Sequence, residues 1–506
     1  MRDTEALGAG DPGAVEALLG SPRAGALVGL AEAFRRWGWR AARLDPLGAA
    51  PPEDVAELDP GLYGLAETDA TPFRAAYCGA LGWEFGHVQD RARHAWLARQ
   101  AETPCRRPPE ERRAALDLIA RAELFERTLD RRLPGAKTFG LAGAESYLVL
   151  LRWVMARAVR DGAREIVVGG MHRGRLTQMA LVFGKPLPQV IAEAQGLPSV
   201  PEGAGSSDPP YHLGWQDRVE IDGRQVRLWV APHPSHLSIV GPVALGRARA
   251  LRDRGQAVLP LVLHTDAAIA GQGVNAELMQ LAGLVPFDVG GTIHLVLNNQ
   301  LGFTTGSEEA RTARTCADIA KLVEAPILHV NGDDPDAVMR AAEIAAGYLA
   351  EFGADIVVDL IACRRKGHNE IDQPRFTQPA MYGWIDALPP LSERYAARIG
   401  AEPALDGFRA GLDAAFEAAK GWRPNLRHTP EGLAPDAVQR MLEPVATGVE
   451  EDRLRALGHR LTALPAGIEP HPKVSGFLAD RRADIEAGEG IDWATAEHLA
   501  FAALLD

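Results

Sequence analysis

Two short polar clusters near the middle of the chain contain residue types that bind a hard metal ion. The first cluster begins at Asp266 and includes Gly271 and Gly273, and the second contains Asn298 and Asn299. A carboxylate, a side-chain amide oxygen and a backbone carbonyl suit Mg²⁺ or Ca²⁺ better than a soft metal. The spacing leaves a structural alternative open, in which Asp266 caps a helix and the two asparagines form a turn.

Basic and histidine-containing clusters follow other apolar runs of the sequence. His172 and Arg173 lie in the sequence Gly-Gly-Met-His-Arg-Gly-Arg, which directly precedes a helical pattern. Arginine donates paired hydrogen bonds to phosphate, and the start of a helix attracts anions. A solvated basic patch is the alternative. His236 follows a second run, and His368 and Glu370 follow a third, where we expect them to order the rim of a site.

Short runs rich in β-branched residues alternate with helical patterns from about residue 138 to residue 380. Continuous apolar strands that alternate with helices predict a doubly wound parallel sheet covered on both faces, an α/β fold. Ligands bind such sheets at the carboxyl ends of the strands, where the polar clusters fall. The predicted strands are 165–168, 226–230, 258–264, 292–297, 325–330 and 356–361.

The flanking sequence is helical in character, which predicts three regions. We expect a helical amino-terminal region over residues 1–135, which includes a helical stretch at 77–99, an α/β domain over 136–385 and a helical linker over 386–506. The Gly-, Ser- and Pro-containing interval 198–216 predicts a ligand-covering loop.

Composition narrows the class of protein. The net charge of −13 argues against nucleic acid as a general partner. The sequence has no run of about 18 apolar residues, so it predicts no membrane span. Its first residues are not followed by an apolar signal region, so secretion is not expected. The four cysteines lack Cys-x-x-Cys spacing, so we expect reduced thiols and a cytoplasmic protein.

Several ordered segments resemble one enzyme family. An acidic residue after a strand, followed about thirty residues later by Asn-Asn, is the thiamine diphosphate fingerprint. The segments DAAIAGQG and NNQLGFTT resemble the decarboxylating component of the 2-oxoglutarate dehydrogenase complex. Further segments that resemble the same family are HRGR, PGAKTFGLAGAES, FTQPAMY and the closing DWATAEHLAFAALLD. The resemblance covers nearly the whole chain, but only the amino-terminal half of the family's full length.

The resemblance implies a thiamine-diphosphate-binding fold with Mg²⁺ and a set of site residues. Asp266, Asn299 and the backbone carbonyl of Leu301 would hold the metal. His172, Arg173 and Ala267 would join these residues in contacting the cofactor or the substrate. His172 and His236 would be catalytic, with His236 near the reacting carbon. The sequence departs from the family at Ala142, His233, Thr265, Ser238, Gly241 and Lys366, and several of these positions would lie near the substrate.

The resemblance therefore predicts decarboxylation of a 2-oxo acid, most readily 2-oxoglutarate, with acyl transfer to the lipoyl group of a dihydrolipoyl succinyltransferase. It also implies an oligomer and a pyrimidine-binding half that carries the activating glutamate, and that half has no counterpart before Asp506. Alternatives are another substrate such as 2-oxoadipate, carboligation through the same chemistry, or a catalytically inactive regulatory subunit of this fold.

Overall fold

The fold is taken from a computed structural model that describes residues 21–49, 51–199, 208–233, 238–424 and 443–506. The chain divides into two compact units, Met1–Ala434 and Pro435–Asp506. Within the described ranges, no helix combines the length and apolar character needed to cross a membrane. The division into regions ending at residues 135 and 385 stays a prediction.

An eight-stranded sheet forms the centre of the first unit. Its strands lie in the order β1-β9-β10-β6-β5-β2-β4-β3, and β7 and β8 form a separate small hairpin. The strands are β1 (Leu81–Glu84), β2 (Glu165–Gly169), β3 (Trp215–Ile221), β4 (Arg224–Val230), β5 (Val258–Thr265), β6 (Ile293–Asn298), β7 (Leu301–Gly302), β8 (Thr305–Gly306), β9 (Ile327–Asn331) and β10 (Ile356–Ile361).

The six strands predicted from the sequence form the parallel part of this sheet, from β9 to β4. The two edge strands differ from the prediction because both are antiparallel to their neighbours. Strand β1 lies inside the stretch predicted as helical at 77–99, and β3 begins at Trp215, inside the predicted loop. The sheet is therefore mixed and mostly parallel.

Both faces of the sheet are covered, which explains why its central strands are apolar throughout. Every residue of β6 is buried. Leu295 and Leu297 pack into the largest apolar cluster, whereas Val296 between them packs into a second cluster on the other face. Alternate side chains of a strand point to opposite faces, so burial on both faces removes the polar alternation of a half-exposed strand.

The helices of the first unit flank this sheet and continue beyond it. They are α1 (Pro22–Trp37), α2 (Glu67–Tyr77), α3 (Arg91–Glu102), α4 (Pro109–Arg132), α5 (Ser146–Arg160), α6 (Arg175–Leu181), α7 (Leu187–Ala194), α8 (Val240–Asp253), α9 (Asp266–Gly271), α10 (Gly273–Leu281), α11 (Ser307–Ala310), α12 (Pro335–Phe352), α13 (Pro379–Ala387), α14 (Leu391–Ile399) and α15 (Asp406–Ala419). Helix α14 packs against α4, and α15 packs against α7.

Local sequence accounts for the start of α12 as predicted. The side chain of Asp334 accepts hydrogen bonds from the backbone N–H groups of Asp336 and Ala337, both at 3.1 Å. Pro335 occupies the first turn, where its missing N–H costs nothing.

The second unit contains its own helices and a small apolar core. Its helices are α16 (Glu451–Leu461), α17 (Pro472–Ala487) and α18 (Trp493–Leu505). Leu457, Ile485 and Leu499, one from each helix, are buried together.

Candidate functional site

One cavity at the carboxyl ends of the parallel strands collects most of the residues singled out from the sequence. Its volume is about 530 Å³. It is lined by His172, Arg173, Thr265, Asp266, Ala267, Asn299, Leu301, Gly302, Phe303, Thr305, Glu309, Ala310, Arg364 and His368. The strands β2, β5, β6 and β10 deliver these residues, as expected for a doubly wound sheet. His236 lies outside the described residues, so its role stays a prediction.

Asp266 is the buried carboxylate of this cavity. It is the first residue of α9, immediately after β5, and only 2% of it is exposed. Burial raises the pKa of its carboxyl group to about 6, although the N–H of Ala267 and the charge of Arg311 oppose this shift. A buried carboxylate that is anionic at neutral pH favours a cation as its neighbour.

A tight turn after β6 places the asparagines beside Asp266. The side-chain oxygen of Asn298 accepts the N–H of Gln300 at 3.1 Å, and that of Asn299 accepts the N–H of Leu301 at 3.2 Å. Gln300 has a φ of 64°, a left-handed conformation that non-glycine residues adopt only when other contacts enforce it. Asn298 and Asn299 therefore form a turn, as the structural alternative predicted, and this turn lies at the wall of the cavity.

Gly302 permits this turn to approach α9. A Cβ atom at Gly302 would lie 2.8 Å from the Cβ of Ala267, closer than atoms tolerate. The absence of a side chain therefore brings the segment after Asn299 against the helix that begins with Asp266.

Three buried basic side chains line the cavity, and each has a nitrogen atom that lacks a hydrogen-bond partner. These atoms are Nε2 of His172, Nε of Arg173 and Nη1 of Arg364, within the part of the chain that the structure describes. The other guanidinium nitrogens are anchored: Arg173 donates to the carbonyls of Gly140 and His368, and Arg364 to that of Phe303. Fixed cations with spare donors form an anion-binding wall.

The protonation states of this wall differ by residue type. Burial lowers the pKa of Arg173 to about 10, so the guanidinium stays charged at neutral pH. Burial, with the nearby Arg173 and neighbouring histidines, lowers the pKa of His172 to about 2. Burial likewise lowers the pKa of His368 to about 4. Arg173 therefore provides the positive charge of this wall. The neutral imidazoles of His172 and His368 provide hydrogen bonds without adding a second positive charge that would repel the guanidinium.

Aromatic side chains hold the imidazoles in place. The ring of Phe139 contacts His172 and His368 edge-on, with centroid separations of 4.8 and 5.4 Å. Glu370 accepts hydrogen bonds from Thr138 and from the N–H of Gly140, and so fixes the loop that carries Phe139. Glu370 thus orders the rim of the site, as the sequence predicted, while His368 lines the cavity.

The departures from the family also fall near the cavity. His233 is buried 6.1 Å from His172 between ring centroids, and neither of its ring nitrogens has a partner among the described residues. Burial lowers the pKa of His233 to about 3. Ser238 accepts a hydrogen bond from Asn275 at 3.0 Å. Both residues flank the undescribed segment that contains His236.

Sequence reasoning missed Arg364 and Phe139 as site residues. Arg364 comes three residues after the end of β10, in the same stretch as His368, so its position after a strand was the available signal. Phe139 comes from a loop before α5, where neither periodicity nor strand ends mark a site.

The donor set tests whether Mg²⁺ fits here. No group of three or more His, Cys, Asp or Glu side chains suited to a metal occurs in the described ranges. Asp266, Asn299 and Leu301 nevertheless line one cavity together with the basic wall. A carboxylate, an amide and a carbonyl suit a Mg²⁺ ion whose remaining ligands are phosphate oxygens and water, so the residues present fit a metal-bound diphosphate.

Comparisons with known proteins identify relatives of this chain. The family model described as "Dehydrogenase E1 component" matches residues 125–404. Proteins named "2-oxoglutarate dehydrogenase E1 component" from Brucella canis, Brucella suis and Brucella abortus are each 38% identical over 527 aligned positions, which cover 93% of this chain and 52% of each relative. The chain thus spans about half the length of the curated relatives it matches.

Proposed function

Because the chain belongs to the dehydrogenase E1 component family, we propose that it forms the metal- and diphosphate-binding half of a thiamine-diphosphate-dependent 2-oxo acid decarboxylase. The observation that supports this proposal most directly is the single cavity in which hard oxygen donors meet unpaired basic nitrogens. Oxygen donors suit Mg²⁺, and fixed basic donors suit phosphate. A metal-bound diphosphate requires both.

The chain's residues divide this work between them. Asp266, Asn299 and the backbone carbonyl of Leu301 would hold Mg²⁺, which in turn would anchor the diphosphate. Arg173 provides a permanent positive charge for the phosphate oxygens, and Ala267 lets the chain pass close to them. The neutral His172 offers a hydrogen bond to the cofactor or the substrate.

Thiamine diphosphate, when bound, supplies the nucleophilic carbon and the electron sink for loss of carbon dioxide from a 2-oxo acid. Histidines of this chain act beside it: His172 and His236 hold or transfer a proton near the developing negative charge. Phe303 excludes water from the side of the cavity that it lines, and Phe139 holds the rings of His172 and His368. A succinyltransferase partner would take up the product on its oxidised lipoyl group, whose disulfide would accept two electrons as one sulfur becomes the acyl thioester and the other a thiol.

The pyrimidine-binding half, which carries the activating glutamate, completes the site across an interface. Apolar side chains near the cavity support this part of the proposal, because Phe303 lines the cavity and is 58% exposed. Ile371 and Phe376, in the segment after His368, are 58% and 85% exposed. Exposed apolar patches of this kind mark surfaces that bind other protein.

The proposed substrate is 2-oxoglutarate, since the matched relatives are named for it. 2-Oxoadipate and carboligation are the alternatives within the enzyme class, and His233 and Ser238 are the residues that could change specificity. We expect kcat/KM, measured with the completing half supplied, to be highest for 2-oxoglutarate, lower for 2-oxoadipate and lowest for pyruvate. A preference for pyruvate would contradict this substrate assignment.

Cofactor binding tests the proposal itself. Calorimetric titration of the chain with thiamine diphosphate should show binding that requires Mg²⁺ and that disappears with EDTA. Asp266→Asn removes the carboxylate charge at constant size, and binding should weaken at least about tenfold. Thiamine without its phosphates is the control ligand and should bind weakly to both proteins. Equal affinity of the wild type and Asp266→Asn would refute the metal site. Mg²⁺-dependent binding without turnover after completion would indicate the inactive regulatory subunit.

A further inference from the structure

A line of buried charged side chains crosses the sheet and ends at the turn that carries Asn299. Its central member is Asp359, in the middle of β10, which is fully buried. One oxygen of Asp359 lies 2.9 Å from Nδ1 of His329 on β9. The other oxygen accepts the side-chain N–H of Asn298, at the end of β6, at 3.0 Å. A carboxylate in the core of the sheet is therefore shared between a histidine and the residue before Asn299.

The histidine of this line is held by two carboxylates. Nε2 of His329 lies 2.9 Å from Glu84 on β1, whose other oxygen lies 2.8 Å from Nζ of Lys321. Burial alone would lower the pKa of His329, but its hydrogen bonds to Asp359 and Glu84 raise the pKa to about 9. A protonated ring donates from both nitrogens, so the oxygens of Asp359 and Glu84 that face it accept.

This arrangement determines which way the Asn298 amide points. Because a carboxylate only accepts hydrogen bonds, Asn298 must turn its NH₂ group toward Asp359. Its oxygen then faces the turn, where it accepts the N–H of Gln300. The reversed amide would leave two donors facing each other at Gln300 and two acceptors facing each other at Asp359.

That bond helps to hold a turn whose backbone conformation is strained, together with the hydrogen bond from the Gln300 side chain to the carbonyl of Ala362 at 3.2 Å. Gln300 has a φ of 64°, and the next two residues, Leu301 and Gly302, lie against the helix that starts at Asp266. Nothing in the local sequence favours a left-handed glutamine, so contacts from outside the turn must hold it.

We propose that Asp359 is a positioning residue: it fixes the Asn298 amide and thereby the turn that presents Asn299 and the Leu301 carbonyl to the cavity. What the turn binds rests on the proposed function, but the positioning does not. Asp359 itself does not line the cavity. Asp359 also accepts a hydrogen bond from the thiol of Cys316, and its charge acts on Asp266. Its hydrogen bond toward the turn runs through Asn298, so coupling these two positions measures that part of its effect.

A matched control exists at the other end of the same strand. Asp355, immediately before β10, is also buried, accepts the N–H of Thr292 at 2.7 Å and lies 3.7 Å from a buried histidine, His294. It is at the amino end of β10, away from the cavity. Asp355→Ala therefore removes a comparable buried carboxylate without touching the turn.

The first measurement needs no ligand. Hydrogen–deuterium exchange of the peptide that contains Gln300 and Leu301 should accelerate in Asp359→Ala and stay unchanged in Asp355→Ala. If Asp359→Ala does not fold, Asn298→Ala tests the step from the Asn298 amide to Gln300 while the charges on Asp359 and His329 stay paired, and the same acceleration is expected. Unchanged exchange in a folded Asp359→Ala or Asn298→Ala protein overturns the proposal.

The second measurement is a double-mutant cycle on Mg²⁺-dependent binding of thiamine diphosphate by calorimetry. Asp359→Ala and Asn298→Ala should each weaken binding roughly 10- to 100-fold, the range for residues that orient metal ligands. The double variant should be no weaker than either single variant, because both break one link. Additive losses, or equal losses in Asp355→Ala, overturn the proposal. Binding that is absent from the wild type refutes the proposed function and leaves the exchange measurement to decide the positioning role.

Discussion

A residue of this site can be recognised from the sequence when it follows a strand, and it is hard to recognise when its position depends on a loop. Asp266 and Asn299 could be identified from the sequence because each follows a buried strand, and parallel strands end at one edge. Arg364 stands in the same situation after β10, yet its role depends on which of its nitrogens the loop carbonyls leave unpaired. That choice is made by tertiary contacts, which no spacing in the sequence encodes.

Arg364 provides a prediction at this scale. Arg364→Gln removes a buried guanidinium group, whose Nη1 has no partner among the described residues. The Mg²⁺-dependent affinity for thiamine diphosphate should therefore fall about tenfold or more. The adjacent Arg365 donates to the carbonyls of Leu388 and Pro389 at the end of α13, away from the cavity lining. Arg365→Gln should therefore lower stability but leave this affinity unchanged. Calorimetric titration of both variants with thiamine diphosphate measures this difference. Equal losses of affinity in the two variants would mean that Arg364 is not part of the anion-binding wall.

Secondary-structure elements were predictable where burial on both faces made them apolar. The six parallel strands carry that signal, whereas the edge strands β1 and β3 do not. Strand β1 has only four residues, Leu-Gly-Trp-Glu, and β3 alternates charged with apolar residues beside a Gly- and Pro-containing interval. Edge strands are short, polar and paired on one side, so they resemble loops in sequence.

The cap of α12 gives an element-scale prediction. Asp334→Ala removes two hydrogen bonds to the first turn of the helix and the ion pair with Arg398 at 3.0 Å. The free energy of unfolding of the first unit should fall by about 1 kcal/mol. Asp334→Asn keeps the capping oxygen and should lose clearly less. Urea unfolding measures both, and a full loss in the asparagine variant would assign the effect to the ion pair instead.

The charged line across β1, β9, β10 and β6 predicts a dependence of stability on pH. His329 faces Asp359 and Glu84, and its ring stacks on Trp39. Its pKa is about 9 when folded and about 6.5 when unfolded. Folding therefore favours the protonated ring, so this contribution is complete below about pH 6.5 and disappears as pH rises through 9. Its size is at most about 3 kcal/mol.

His329→Gln isolates this contribution. The difference in unfolding free energy between the wild type and His329→Gln should be largest near pH 6 and should shrink steadily between pH 7 and pH 10. Chemical denaturation at several pH values measures it. A difference that stays constant over that interval would mean that His329 is not protonated in the folded protein.

At the scale of the whole molecule, one open cavity stands on a large apolar core. The first unit buries a continuous apolar core that includes residues from α1 to α15. Phe303 in the cavity lining is nevertheless exposed, and so is Phe376 in the segment that follows His368. The sequence matches relatives twice its length. A stably folded first unit and a complete active site are therefore separate requirements.

The final prediction follows from that separation: the 506-residue polypeptide alone should bind Mg²⁺ and thiamine diphosphate but show no decarboxylation above background. Binding needs only the cavity described above, whereas turnover needs the glutamate that the proposed pyrimidine-binding half supplies. Adding that half, as the matching segment of a relative or as a separately expressed partner, should restore turnover with an artificial electron acceptor.

The apolar rim gives this prediction its control. Phe376→Glu places a charge on an 85% exposed side chain outside the cavity lining, so cofactor binding should be unchanged. Association with the completing half should weaken, because burying an unpaired charge in an apolar interface is costly. The restored turnover should then require a higher concentration of that half. Robust turnover by the verified chain alone would mean that a carboxylate within these 506 residues performs the activation, and the proposed division into halves would be wrong.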